Sequence, residues 1–231
     1  MLDERLSLAA QLYEPCALGA DIGTDHALLP CYLLTHNICQ EMILADVSPK
    51  ALLHAEESVR RHHLEKRAHV RLADGLDALT EPCGCVSMMG MGGETIRTVL
   101  LSGADKLHGA VLVLSSHTEQ PLVRRTLPEI GYHIVQEKLC QAAGRFYIFW
   151  RAEPGQADDW TVEEVHYGRL LWVQNPPKML LDYCRYRIKV MADRLTGLAS
   201  ATGDVSRIRG EIAAEIDFYQ RKITELEGAL C

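Results

Sequence analysis

Short apolar runs alternate along most of the chain with stretches in which apolar residues recur every three or four positions. The opening stretch sets Leu2, Leu6, Ala9 and Tyr13 among Asp3, Glu4 and Arg5, the mark of an amphipathic helix. Residues 17–22 read as a strand that runs into Gly23, Thr24, Asp25 and His26 and then into an apolar helix over 27–34. A second strand, 41–46, ends at Asp46. Ser48 and Pro49 follow as N-cap and first residue of a helix through His63. The alternation continues with strands at 68–72, 85–89 and 109–114 and helices at 94–101 and 119–130, so the sheet should be largely parallel. Two β-type runs, 132–139 and 145–151, flank Ala142, Ala143 and Gly144, which predicts an antiparallel hairpin at the sheet edge.

From 153 to 159 the composition turns to Pro, Gly, Gln and Asp, a linker signal. Beyond it, Leu180, Cys184, Ile188, Met191, Leu195 and Leu198 repeat at three and four, as do Val205, Ile208, Ile212, Ile216, Tyr219, Ile223, Leu226 and Leu230. Ala199 to Gly203 interrupts the pattern, with Asp204 as the expected N-cap. The prediction is an α/β domain over 1–153 and an antiparallel helical, coiled-coil-like hairpin over 160–231.

Bulk properties narrow the class. The 231 residues are 48% hydrophobic, enough to bury one full α/β core with a smaller element left over. The first residues carry no export signal, and no uncharged apolar stretch approaches membrane-spanning length, so a cytoplasmic protein is expected. The eight cysteines then read as reduced thiols. Cys83 and Cys85 form a lone CxC without a second pair at zinc spacing, which argues against a metal site. A net charge of -7 excludes a non-specific nucleic-acid coat and directs attention to local basic patches. One patch comprises Arg60, Arg61, His62, His63, Lys66, Arg67, His69 and Arg71, and another Lys178, Arg185, Arg187, Lys189 and Arg194.

Candidate chemistry gathers at the carboxyl ends of successive strands, where open α/β sheets bind ligands. In the segment from Gly19 to His26, Gly23 permits a tight turn, Thr24 follows it, and Asp21 can hold amides or an ammonium group. The second and third glycines of a dinucleotide fingerprint are missing, and Asp25 stands where a pyrophosphate would sit. A cationic nucleoside without pyrophosphate, S-adenosylmethionine, suits that turn better. Asp46, with Val47 beside it, lies at the spacing of a ribose-binding carboxylate, and Asp74 and Gly75 after the third strand can meet an adenine amino group. Gly90, Met91 and Gly92 follow the fourth strand, where methyltransferases present the substrate. The seven-strand order with a terminal hairpin is that expected of class I, Rossmann-like methyltransferases. Asn175, Pro176 and Pro177 resemble an amine-gripping motif, but they lie far from the fourth strand and read as a turn before a helix.

Taken together, LDERLSLAAQL, ADIGTDHALLP, ADVSPKAL, RLADGL, GMGGETI, GRFYIFW and the tail from YGRLL resemble the bacterial tRNA (adenine-N1)-methyltransferases that act on adenine 22, the TrmK family. The resemblance spans essentially the whole chain. It implies methyl transfer to N1 of a tRNA adenine, with tRNA as partner and S-adenosylmethionine as cofactor. Adenine N1 already carries a lone pair, so positioning matters more than a strong base. Within this resemblance Asp25 is the candidate to accept from the adenine amine, oriented by His26. The family usually carries a QPN-like turn after strand five, where this chain has Ser115, Ser116, His117 and Thr118. Two rivals remain open at this point, a small-molecule methyltransferase of the same fold and a cofactor-binding domain whose hairpin only binds protein partners.

Overall fold

The computed structural model describes residues 2–156, 158–198 and 204–230. They divide into two compact units, Met1–Gln174 and Asn175–Cys231.

In the first unit, α1 (Glu4–Leu12) precedes β1 (Cys16–Ile22), α2 (Leu28–Thr35), β2 (Cys39–Asp46), α3 (Pro49–Arg61), β3 (Ala68–Leu72), β4 (Cys85–Met91), α4 (Gly93–Gly103), β5 (Val111–Ser116), α5 (Gln120–Glu129), β6 (Tyr132–Ala142) and β7 (Arg145–Pro154). The seven strands order as β3-β2-β1-β4-β5-β7-β6, with β7 antiparallel to both neighbours. This is the mixed sheet that the sequence predicts. The hairpin turns tightly because Ala143 and Gly144 both adopt positive φ, 49° and 73°, the twist that a two-residue connection requires. Ser48 caps α3 as expected, its hydroxyl accepting from the Ala51 amide.

Period-two alternation within the strands builds two cores. Met42, Leu44, Cys85, Val113 and Phe149 face α1, α2 and α3 in one buried cluster. The intervening residues, among them Ile43, Val86, Met88, Leu112, Leu114 and Trp150, are fully or nearly fully buried and point to the opposite face. Cys16, Cys31, Cys39, Cys83, Cys85, Cys140 and Cys184 are free thiols, mostly buried, in keeping with the reading of reduced cysteines. Among the described residues no helix is long and apolar enough to cross a membrane.

The expected linker at 153–159 is not where the first unit ends. After it, α6 (Val162–Tyr167) opens with a capping box between Thr161 and Glu164, and α7 (Leu171–Gln174) closes the unit. A buried charge holds this segment to the sheet. Glu137 on β6 is fully buried and accepts from Arg124 Nε at 2.7 Å, Trp150 Nε1 at 2.8 Å and the amides of Leu170 and Leu171 at 2.9 and 3.1 Å. Arg124 in turn donates to the carbonyls of Val165 and His166. Periodicity could not reveal this, because a charge at a core position announces no partner.

The second unit is a helical hairpin of α8 (Pro177–Gly197) and α9 (Ser206–Gly228). Tyr183 and Tyr219 meet edge to face at 5.8 Å, and Arg187 lies over Tyr219 while pairing with Glu215. Asn175 to Pro177 form the turn into α8, with Pro177 in its first turn as read from the sequence. The expected break at Ala199–Gly203 lies outside the described residues. Asp204 is not the N-cap of α9; Val205 is, and Asp204 accepts from the Ser206 amide one position further out.

Candidate active site

A cavity of about 650 Å³ opens at the carboxyl ends of β1 to β5, lined in part by Arg5 and Leu6 of α1. Its lining includes Asp21, Gly23, Thr24, Asp25, His26, Asp46, Val47, Asp74, Gly75, Gly90 and Met91, so all but one of the residues singled out from sequence come together. Gly92 is the exception. It precedes α4, and a Cβ there would meet Thr118 Oγ1 at 3.1 Å, which makes it a packing glycine beside the loop after β5.

The local backbone explains the floor of the cavity. The amides of Gly23 and Thr24 donate to Ala45 O at 2.8 and 3.0 Å, folding the end of β1 over β2. Gly23 holds φ +80°, and a Cβ would approach the Met91 methyl to 2.0 Å, so glycine is required both by conformation and by space. Gly90 also holds a positive φ, +75°, yet a Cβ there would meet nothing within 4 Å, so the backbone of β4 faces open space.

One end of the cavity is acidic. Asp21 is buried, and burial pushes its carboxyl up to about 6, although Ser87 Oγ donates to its Oδ1 at 2.5 Å and lowers it. Tyr13, the C-cap of α1, donates to Ser87 Oγ at 2.6 Å and extends this chain. Asp46 Oδ1 accepts from the Ser48 amide at 2.7 Å, which leaves its second oxygen toward the cavity rim. Asp74 is exposed at the end of β3.

Asp25 lies on the same side, beside α3. His54 Nδ1 stands 2.9 Å from its Oδ1 and His26 Nε2 3.4 Å from its Oδ2, and the two imidazoles stack at 4.8 Å with 10° between planes. The His54 hydrogen bond holds the Asp25 carboxyl below its ordinary range. Sequence reading missed His54, because it lies on a helix 29 residues downstream. The ligating atoms of Asp25, His26 and His54 lie within 4.8 Å of one another. Near-parallel rings cannot both aim an in-plane lone pair at one ion, so the arrangement suits a hydrogen-bonded cluster better than a metal.

The other end is aromatic and basic, and sequence reading largely missed it. Arg5 and Leu6 of α1, Ser115 and His117 after β5, and Tyr147 and Phe149 of β7 line it. Arg5 is paired with Asp3 at 2.6 Å and lies 5.1 Å over the Tyr147 ring, while His117 meets that ring edge-on at 5.9 Å. Only folding brings α1 and β7, more than a hundred residues apart in sequence, to one wall.

The first basic patch is not at this site. Helix α3 starts at the carboxyl end of β2 and descends to the start of β3, so Arg60 to His63 lie at the amino ends of the strands, away from the cavity. Arg67 donates to the carbonyls of Cys39 and Gln40, and His69 and Arg71 pair with Glu41 and Glu81. In the second patch Arg185 pairs with Glu227 and Arg187 is enclosed by the hairpin, whereas Lys178, Lys189 and Arg194 are exposed.

Comparison with known proteins agrees with this architecture. Residues 2–149 match the family described as Methyltransferase domain. The chain is 31% identical to the Bacillus subtilis tRNA (adenine(22)-N(1))-methyltransferase over 68% of its length and 67% of that protein. It superposes on a proposed tRNA (m1A22) methyltransferase of Streptococcus pneumoniae, in complex with S-adenosyl-L-methionine, with TM-score 0.84 and 26% identity over 96% of this chain and all of that one. The fold is shared as well with M. capricolum TrmK bound to S-adenosyl-homocysteine, TM-score 0.81 at 23% identity, over 97% of this chain and 98% of that one. The chain belongs to the tRNA (adenine(22)-N(1))-methyltransferase family.

Proposed function

We propose that the protein transfers a methyl group from S-adenosylmethionine to N1 of an adenine in tRNA, adenine 22 in the family's terms, in the cytoplasm and without a bound metal. The observation that carries this reading is the polarity of this cavity, carboxylates along β1 to β3 and an open, aromatic wall at β4, β5 and β7.

The carboxylate end fits the cofactor by its chemistry. Asp21 offers a buried negative charge to an ammonium group, the free oxygen of Asp46 can accept from a ribose hydroxyl, and Val47 and Gly75 leave flat apolar room for an adenine ring. No glycine-rich pyrophosphate cradle is present, and Asp25 would repel one. When bound, the cofactor supplies an electrophilic methyl on sulfonium sulfur.

The protein's remaining task is to bring adenine N1 in line with that methyl and to exclude water. Gly90 and Met91 border the space where the base must come, and the N1 edge must be free of pairing to enter. Asp25 and His26 were the candidates for polarising the base. Both oxygens of Asp25 already face histidines on the α3 side, which suits them to shaping the cofactor rim. The exposed Lys178, Lys189 and Arg194 give the hairpin cations for tRNA phosphates.

The test is methyl transfer from labelled S-adenosylmethionine to unmodified tRNA transcripts, with the product nucleoside mapped. Label in 1-methyladenosine at position 22 is expected. Label confined to small molecules, or none, would overturn the reading.

A further inference from the structure

Taking that function as its premise, we propose that His117 is a substrate-binding residue that accepts a hydrogen bond from the exocyclic amine of the target adenine, with Tyr147 as the aromatic wall beside it.

His117 lies on the loop after β5 at the cavity wall, and its surroundings are built. Its amide donates to Met91 O at 3.1 Å, Ser116 Oγ bonds Met91 O at 3.3 Å, and the Gly93 amide donates to Thr118 O at 3.1 Å. These bonds stitch the loop after β5 to the end of β4, so the imidazole is presented beside the open backbone face of Gly90.

Several of the other polar groups at this end of the cavity are already engaged, which favours the same residue. Ser115 and Ser116 are buried; Ser115 Oγ donates to Ile148 O at 2.9 Å, and Ser116 Oγ donates to Met91 O and Thr118 O and accepts from the Thr118 amide, which turns both hydroxyls into the fold. Arg5 is a donor only and is held by Asp3. Asp21 is buried against Ser87, and Asp25 faces His26 and His54 on the far side. Among the described residues the His117 ring nitrogens make no hydrogen bond, and a neutral imidazole offers one acceptor nitrogen. Adenine presents a donor amine next to N1, so an acceptor there reads adenine against a 6-oxo purine.

The same contact assists the reaction. Adenine N1 donates its lone pair to form the new N–C bond while the C–S bond breaks and its electron pair stays on sulfur. Positive charge thereby passes from sulfonium to the adenine ring, and the amine protons become more acidic. An acceptor aimed at them stabilises charge that develops only in the transition state. The cationic product keeps the two amine protons it started with, and its positive charge, brought by the methyl group, leaves with the base.

The experiment uses the full chain and two ligated tRNAs, one with adenine and one with purine, which lacks the 6-amino group, at the target position. His117→Ala should slow single-turnover methylation of the adenine tRNA about tenfold to a hundredfold, as for loss of one hydrogen bond to a charged partner. It should leave S-adenosyl-homocysteine affinity by calorimetry unchanged and add no further loss on the purine tRNA. His117→Asn or His117→Gln, which keep an acceptor oxygen, should restore part of the adenine rate. An equal loss on both tRNAs would assign His117 a packing or stacking role and overturn the proposal, as would full activity of His117→Ala. Wild-type protein that methylates neither tRNA would overturn the functional premise itself and the proposal with it.

Discussion

Asp21→Asn separates the demands of folding from those of binding. Burial raises the Asp21 carboxyl from 3.8 to about 6 against the opposing Ser87 hydrogen bond. That displacement corresponds to about 3 kcal/mol in favour of the neutral form. A carboxyl that holds its proton more tightly when folded stabilises the fold fully below about pH 4, and the contribution is lost as pH rises through about 6. At about pH 8 the ligand-free protein therefore keeps a buried anion whose partner is a hydroxyl, not a cation. Asparagine retains an oxygen to accept from Ser87 and removes the charge, but its amide hydrogens need acceptors. About half of the 3 kcal/mol should thus be recovered. For a chain of this size that raises Tm by roughly 3 to 6 °C at about pH 8, with the difference vanishing near pH 4. Thermal melts across this pH series supply the measurement. Calorimetric titration with S-adenosyl-homocysteine completes it: the variant should bind more weakly because the ligand ammonium loses its counter-charge. Wild-type affinity should fall below about pH 6, and the variant should lack that limb. Equal melting of both proteins at about pH 8, or wild-type affinity flat across the series, would refute the reasoning.

Asp46→Ala should weaken S-adenosyl-homocysteine binding by about 1.5 to 3 kcal/mol, read by the same titration, because a charged acceptor leaves the site and the Ser48 amide loses its anchor. Glu137→Ala should destabilise the protein by about 3 to 5 kcal/mol in urea unfolding, since it strands the buried Arg124 guanidinium and the Trp150 indole. Truncation before Trp160 should behave like that variant, whereas truncation after Gln174 should leave a folded unit that binds S-adenosyl-homocysteine and has lost most of its tRNA affinity; intact tRNA affinity there would remove the hairpin from RNA binding. Asp25→Asn should weaken cofactor binding and turnover by similar factors if Asp25 shapes the cofactor rim, and a selective loss of single-turnover rate would return it to the chemistry.

The sequence by itself determined the order of elements in the sheet unit, because strand and helix differ in period and the turns carry their own chemistry at Ser48, Pro49, Ala143 and Gly144. It also determined the carboxylate edge, since Asp21, Asp46 and Asp74 lie at or just beyond the carboxyl ends of their strands and a parallel sheet necessarily brings strand ends together. What only tertiary structure decided were the long-range pairings. His54 of α3 meets Asp25 in the loop after β1, Arg5 and Tyr147 join His117 from opposite ends of the first unit, and Glu137 ties residues 161–174 to the sheet. It also carried Arg60 to His63 away from the active face, paired Arg71 with Glu81 and enclosed Arg187, because a cation's availability depends on which end of the sheet its helix reaches and on which carboxylate lies opposite. Periodicity records which face of an element is buried, but it holds no information on which distant residue shares that face, and the substrate wall is made of such meetings.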